Sequence, residues 1–132
     1  MTETVVVGTP IESVTLVCDP VRILRFGAST HNSHRIHYDA SYAQTEGLSA
    51  PVVMAQLQGT LFFRAASHFA GGYEGVVSVS WQNRAPAPVG TTLEVSGEVS
   101  QIDSDQLTLA LREHSGNGVL CAVGTAVVVR VC

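Results

Sequence analysis

The stretch PVVMAQLQGTLFFRAASHFAGG, residues 51–72, decides how the rest of the chain must be arranged. Its polar residues Gln56, Thr60, Arg64 and Ser67 recur at intervals of four, four and three, which predicts a helix starting after Pro51 and stopping at Gly71-Gly72. Apart from this one narrow polar stripe the helix is apolar all round, and such a helix is stable only when other protein surrounds it. A bilayer is not that surrounding. Gln56, Gln58, Arg64 and His68 interrupt the longest apolar run, Val52 to Ala70, and would be costly at a membrane centre.

The wrapping material follows the helix. From Val76 onward the period changes to two: Leu93, Val95, Gly97 and Val99 alternate with Glu94, Ser96, Glu98 and Ser100, and Leu107, Leu109 and Leu111 alternate with Thr108, Ala110 and Arg112. These are half-buried antiparallel strands, joined by the turn signals AspSerAsp at 103–105 and SerGlyAsnGly at 115–118. The last strand, Val119 to Val131, is apolar on both faces and is expected to lie centrally or at a subunit interface. The fold class is therefore α+β, with a long central helix wrapped by a curved antiparallel sheet. Residues 1–132 are read as one domain, without internal repeats or linkers.

Ahead of the long helix, Ser13 to Val17 reads as a short strand. Asp19-Pro20 is an N-cap followed by proline at the first helical position, opening a helix that runs to about Ser29. Asp39 caps a second short helix through Glu46, closed by Gly47 in the left-handed region. The intervening loop, THNSHRIHYD at 30–39, is pinned between two helix ends, a rigid frame that suits chemistry.

Composition narrows the function classes. A net charge of -4, with seven Arg and no Lys, offers no basic stripe for nucleic acid. Charged residues make up 14% of the chain, against roughly 25% in ordinary globular domains, so part of the surface is expected to be covered by another subunit. Cys18, Cys121 and Cys132 are odd in number and widely spaced, with no CxxC pair and no secretory leader before the first apolar run. They read as reduced thiols of a cytoplasmic protein.

His31, His34 and His37 recur every third residue and admit three readings: a solvated polar loop, a metal cluster, or a catalytic loop. Structural zinc takes four ligands, usually including Cys, and catalytic zinc takes three with fixed supporting groups. No cysteine is near in sequence, and His68 and His114 stand alone, so no metal is expected. The catalytic reading uses one imidazole, the side chain that ordinarily moves a proton near neutral pH. The order of residues favours it: Asn32 lies five positions before His37, and IleHisTyrAsp, a short helix, a proline and the long helix follow.

AsnSerHisArgIleHisTyrAsp at 32–39 resembles the loop motif of the MaoC-like (R)-specific enoyl-thioester hydratases and dehydratases, which have the hotdog fold. It fits the branch reading Asn-x-His-Arg-Ile-His-Tyr-Asp, seen in hydroxyacyl-thioester dehydratases and mesaconyl-CoA hydratase-like proteins. TrpGlnAsnArgAlaProAlaProValGlyThrThrLeu at 81–93 resembles the family's strand, Pro-rich corner and return strand. The resemblance implies an enzyme, a hydro-lyase adding or removing water across a 2-enoyl thioester. It implies no cofactor, with coenzyme A or phosphopantetheine present only as part of the substrate, and a homo-oligomer or a heteromer with a second hotdog chain.

By the same resemblance His37 matches the catalytic histidine and Asn32 the position usually held by the catalytic aspartate. His34 falls where the family has asparagine, and His34 and Asp39 are candidates to support His37. Met54-Ala55 stands where the family commonly has His-Gly, whose glycine N–H at a helix N-terminus stabilises the thioester oxygen. Alanine keeps that N–H. Gln56 and Gln58 either line the acyl tunnel or form a solvated edge, and Arg35, Arg64 and Arg84 are candidate contacts for carrier phosphates. An amide takes no proton at neutral pH, so Asn32 orients water and His37 transfers the proton. Two alternatives remain: a non-catalytic or half-catalytic subunit of a heteromeric dehydratase, motivated by these departures, and a hotdog thioesterase. The absence of Asp or Glu from Val52 to Gln58 counts against the thioesterase.

Overall fold

The computed structural model describes residues 4–131; Cys132, read above as a thiol, lies outside the described residues. In chain order the elements are β1 (Val14–Val17), α1 (Pro20–Ser29), a 3-10 turn (Arg35–His37), α2 (Ala40–Thr45), α3 (Ala55–Ala70), a second 3-10 turn (Tyr73–Gly75), β2 (Val76–Asn83), β3 (Thr92–Asp103), β4 (Gln106–His114) and β5 (Leu120–Val129). The five strands form one antiparallel sheet in the order β1-β3-β4-β5-β2. β5, shorter than the apolar run that announces it, is hydrogen-bonded on both edges, while β1 and β2 are the sheet's edges.

The alternation along β3 and β4 is borne out. Leu93, Val95, Val99, Leu109 and Leu111 are buried, and they meet Leu57, Leu61, Phe62, Ala65 and Ala66 of α3 in one core. Leu61 and Phe62 are at most 1% exposed, a burial that contributes roughly 1.5–3 kcal/mol for each side chain. Gln56, Thr60 and Arg64 stay exposed, so the polar stripe is the one face the sheet leaves open. On that side the Trp81 ring of β2 lies directly on Gly59, where a Cβ would collide with it, and stacks on Phe62 at 6.4 Å between centroids.

One boundary is corrected. α3 begins at Ala55, four residues after Pro51, because the intervening backbone is committed elsewhere: the Val52 N–H donates to Ile36 O (3.0 Å) and the Val53 N–H to Ala87 O (2.8 Å). An extended segment bonded to two other parts of the chain is not free to coil. At the other end Gly71 adopts φ +90°, the left-handed stop that the Gly-Gly pair implies. Among the described residues no helix is long and apolar enough to cross a membrane.

Candidate functional site

The loop of residues 30–39 is built by short-range hydrogen bonds. Asp19 Oδ1 caps α1 by accepting from the Arg22 N–H (2.8 Å), with Pro20 at the first position. After Thr30 the chain turns through His31 at φ +56°, and the Asn32 N–H donates back to Gly27 O at 2.9 Å. This return passes so close to α1 that a Cβ on Gly27 would stand 2.8 Å from Asn32 O. Asn32 Oδ1 then accepts from the His34 N–H (3.2 Å), and His34 Nδ1 from the Ile36 N–H (3.3 Å), which starts the 3-10 turn. Asp39 Oδ1 caps α2 on the Tyr42 N–H at 3.0 Å.

His37 is the buried histidine of the loop, at 8% exposure. Its Nδ1 lies 2.7 Å from Val52 O. A carbonyl only accepts, so Nδ1 carries the proton and Nε2 of the neutral ring keeps its lone pair free. The Val52 N–H to Ile36 O bond clasps the same two segments in the opposite sense and fixes the ring's orientation.

The ring stands between two cavities. The first, about 630 Å³, is bounded by one face of α1 (Pro20, Ile23, Leu24, Gly27, Ala28), by Asn32, Ser33, His37 and Tyr38 of the loop, and by Pro51, Met54 and Val89. The second, about 480 Å³, is lined by His37, Ala55, Gln56, Gln58, Asn83 and Arg84 together with Ile36, Val52, Val53, Ala85 and Pro86. Among the described residues no carboxylate lines either one, and His37 is the imidazole shared by both.

Ala55 is the first residue of α3. Helix geometry leaves its N–H without an intrahelical acceptor, and Met54, the N-cap, supplies no side-chain bond. Ala55 is not among the residues with positive φ, so its Cβ is accommodated. The macrodipole at this helix end favours negative charge. Cavity and dipole together suit an oxygen that becomes anionic.

The other expected residues divide. Met54 lines the first cavity, and its Cε approaches the Gly27 position. His34 lines neither cavity; its ring packs edge-on against His37 (6.1 Å) and Tyr42 (5.9 Å). Asp39 pairs with Arg35 (2.9 Å), and the Tyr42 N–H, then the Arg35 guanidinium, hold its carboxyl below the usual range. Arg35 also lies 4.5 Å over the Tyr42 ring, which commits it to the surface of α2. Arg64 donates to Thr15 O (2.6 Å) and lines neither cavity. Arg84 lines the second cavity and makes no ion pair among the described residues. Gln56 is exposed. Gln58 is not a solvated edge: it is 3% exposed, donates to Val53 O (3.3 Å) and accepts from Asn83 Nδ2 (3.1 Å), tying α3 to β2. Among the described residues no three His, Cys, Asp or Glu side chains converge as a metal set would.

Sequence reasoning missed the wall contributed by α1. Its signal was available, since positions 20, 23, 24, 27 and 28 share one helical face. Glu113 was also missed. It follows Leu107, Leu109 and Leu111 on the inward side of β4, is fully buried, and neither carboxylate oxygen has a partner among the described residues. Burial pushes its carboxyl up to about 8.

The family model of hydroxyacyl-thioester dehydratase type 2 matches residues 5–89, more than half of the chain. The chain belongs to this family. The match spans both cavities' helices and the loop between them, ending before β3. Mesaconyl-C(4)-CoA hydratase of Chloroflexus aurantiacus is 41% identical over 73 residues, 54% of this chain. The aligned part is 25% of that relative, so the chain spans about a quarter of its length. Among solved structures, the (R)-hydratase from A. caviae involved in PHA biosynthesis superposes with a TM-score of 0.86 over 98% of this chain and 100% of its own, at 22% identity. The ChsH1-ChsH2 complex from Mycobacterium tuberculosis gives 0.84 over 96% and 100%, also at 22% identity. These likenesses show the hotdog fold that the resemblance implies.

Proposed function

We propose that the protein catalyses reversible hydration of 2-enoyl thioesters, or equally dehydration of 3-hydroxyacyl thioesters. The observation that carries this reading is the His37 ring, held by Val52 O so that Nε2 is free where an apolar cavity meets a groove at the N-terminus of α3. The acyl chain lies in the first cavity and the thioester in the second, its carbonyl oxygen accepting from the Ala55 N–H. Asn32 orients a water. His37 Nε2 takes a proton from that water as its oxygen bonds to C3, the electron pair moves onto the thioester oxygen, and the imidazolium returns the proton to C2. Atoms and charge balance without any further group, so no cofactor enters; coenzyme A or phosphopantetheine is part of the substrate, with Arg84 beside its path. His34 and Asp39 hold the loop and act only through it.

The protein works as a pair, with a second copy or a second hotdog chain joined through β2. Supporting this, β2 is a sheet edge with unpaired backbone groups, and Val77, Trp81 and neighbouring Phe63 expose apolar surface beside it. The two buried free thiols suit a reducing, cytoplasmic setting. A half-catalytic subunit is the second reading, favoured by the amide at Asn32 in place of a carboxylate.

The test is hydration of crotonyl-, mesaconyl-C4- and longer 2-enoyl-CoA esters, by the chain alone and with any co-purifying chain. Replacing His37→Ala should lower kcat at least 100-fold with secondary structure by circular dichroism retained, although the melt drops because Val52 O loses its donor. No hydration in either arm, or an unimpaired variant, sinks the reading; activity only with the second chain selects the half-catalytic one.

A further inference from the structure

We infer that the first cavity selects an uncharged, extended acyl chain of roughly eight carbons or more, and rejects acyl groups that carry a second carboxylate. The inference rests on the thioester reading above and adds the substrate class.

Its chemistry is one-sided. The Pro20, Ile23, Leu24, Gly27 and Ala28 face of α1 forms one wall, and Met54 and Val89 are apolar surfaces facing the same space. The polar groups on the cavity are Asn32, Ser33, His37 and the Tyr38 hydroxyl, all on the catalytic loop, and the Tyr38 hydroxyl already donates to Ser33 O at 3.0 Å. Among the described residues no arginine lines it, and the chain contains no lysine. A terminal carboxylate entering this space would lose its water and find no cation, a penalty that defeats binding unless the group is paired.

Its length is set by α1. From Ala28 beside the loop to Pro20 is eight residues, about 12 Å of helix at 1.5 Å each. Carbon–carbon bonds of about 1.5 Å laid in a zigzag advance roughly 1.3 Å apiece, so an extended chain of on the order of nine carbons spans that wall. The volume agrees: at roughly 30 Å³ per heavy atom, half of the 630 Å³ already holds on the order of ten atoms. At the rim, Leu24 is 71% and Tyr38 62% exposed. A long apolar chain would cover more of this exposed apolar surface than a short one.

The experiment separates this inference from the catalytic reading by measuring binding as well as turnover. Calorimetric titration of the full chain, with its partner if one co-purifies, would use butyryl-, octanoyl-, decanoyl- and succinyl-CoA, none of which can be hydrated. Each buried methylene adds up to about fourfold in affinity, so octanoyl- and decanoyl-CoA should bind at least tenfold tighter than butyryl-CoA, with succinyl-CoA weakest. The kcat/KM order of crotonyl-, octenoyl-, decenoyl- and mesaconyl-C4-CoA should match. Leu24→Arg, an exposed position that leaves the core untouched, should weaken decanoyl-CoA and strengthen succinyl-CoA, each by tenfold or more. Chain-length preference without any hydration would uphold the acyl assignment and overturn the catalytic one. Hydration with butyryl- or succinyl-CoA bound as tightly as decanoyl-CoA would overturn the acyl assignment alone.

Discussion

Replacing Ala55→Pro would remove one N–H from the site and almost nothing else. Position 55 is the first residue of α3, where proline is favoured because that N–H has no intrahelical partner and φ near -65° suits the helix. The preceding residue is compatible, since Met54 has φ -61° and ψ 139°, the extended conformation that a following proline demands. The same substitution inside α3 would cost about 3 kcal/mol or more; here the melting temperature should move by only a few degrees. If the Ala55 N–H polarises the thioester carbonyl, its loss should lower kcat by roughly 10²–10³, the usual effect of deleting one oxyanion donor. Ala55→Gly keeps the donor and should stay within about threefold of the parent. The assay is steady-state hydration of an enoyl-CoA, followed by loss of the conjugated thioester, alongside thermal melts of all three proteins. A proline variant that melts normally and turns over at the parental rate refutes the oxyanion role.

Other consequences concern the loop and the buried acid. Asn32→Asp puts a carboxylate on the cavity that His37 also lines and should raise kcat about tenfold or more in the chain alone, if the amide limits it; an unchanged rate in a correctly folded variant argues that Asn32 does no more than hold the loop. Gly27→Ala places a methyl 2.8 Å from Asn32 O, so the loop must shift; kcat should fall by about a hundredfold while secondary structure by circular dichroism is kept. Glu113, raised by burial to about 8, keeps its proton when folded and loses it near 4.5 when unfolded, so its contribution is fully present below pH 4.5 and declines until pH 8. Between pH 5 and 7 wild type should therefore lose about 3 kcal/mol relative to Glu113→Gln, read from urea midpoints; parallel pH profiles would contradict this. Cys18, fully buried and pushed up to about 11 by desolvation and then by Glu113, should resist alkylation in the native protein and react on unfolding, as peptide mass spectrometry would show.

Sequence alone determined what depends on near neighbours. Asp19 and Asp39 as caps, Gly47 and Gly71 as left-handed stops, the stripe on α3 and the alternation of β3 and β4 all follow from contacts within a few residues, and local propensity encodes those directly. The loop motif marked its residues through its resemblance to a family pattern. Tertiary structure decided which of them share a space. Pairing of Val52 with Ile36 delayed the start of α3 and left Ala55, its first residue, lining the second cavity, and Val52 O chose His37 Nε2 as the free nitrogen. Arg35 and Arg84 look alike in the chain, yet Asp39 and Tyr42 engage one while the other lines the second cavity. Gln58 and Glu113 were sorted likewise, the first by a partner in β2, the second by full burial without a hydrogen-bond partner among the described residues. Each of these outcomes rests on groups distant in sequence meeting at hydrogen-bond or van der Waals distance, where burial decides whether a polar atom is satisfied, free to react, or left alone.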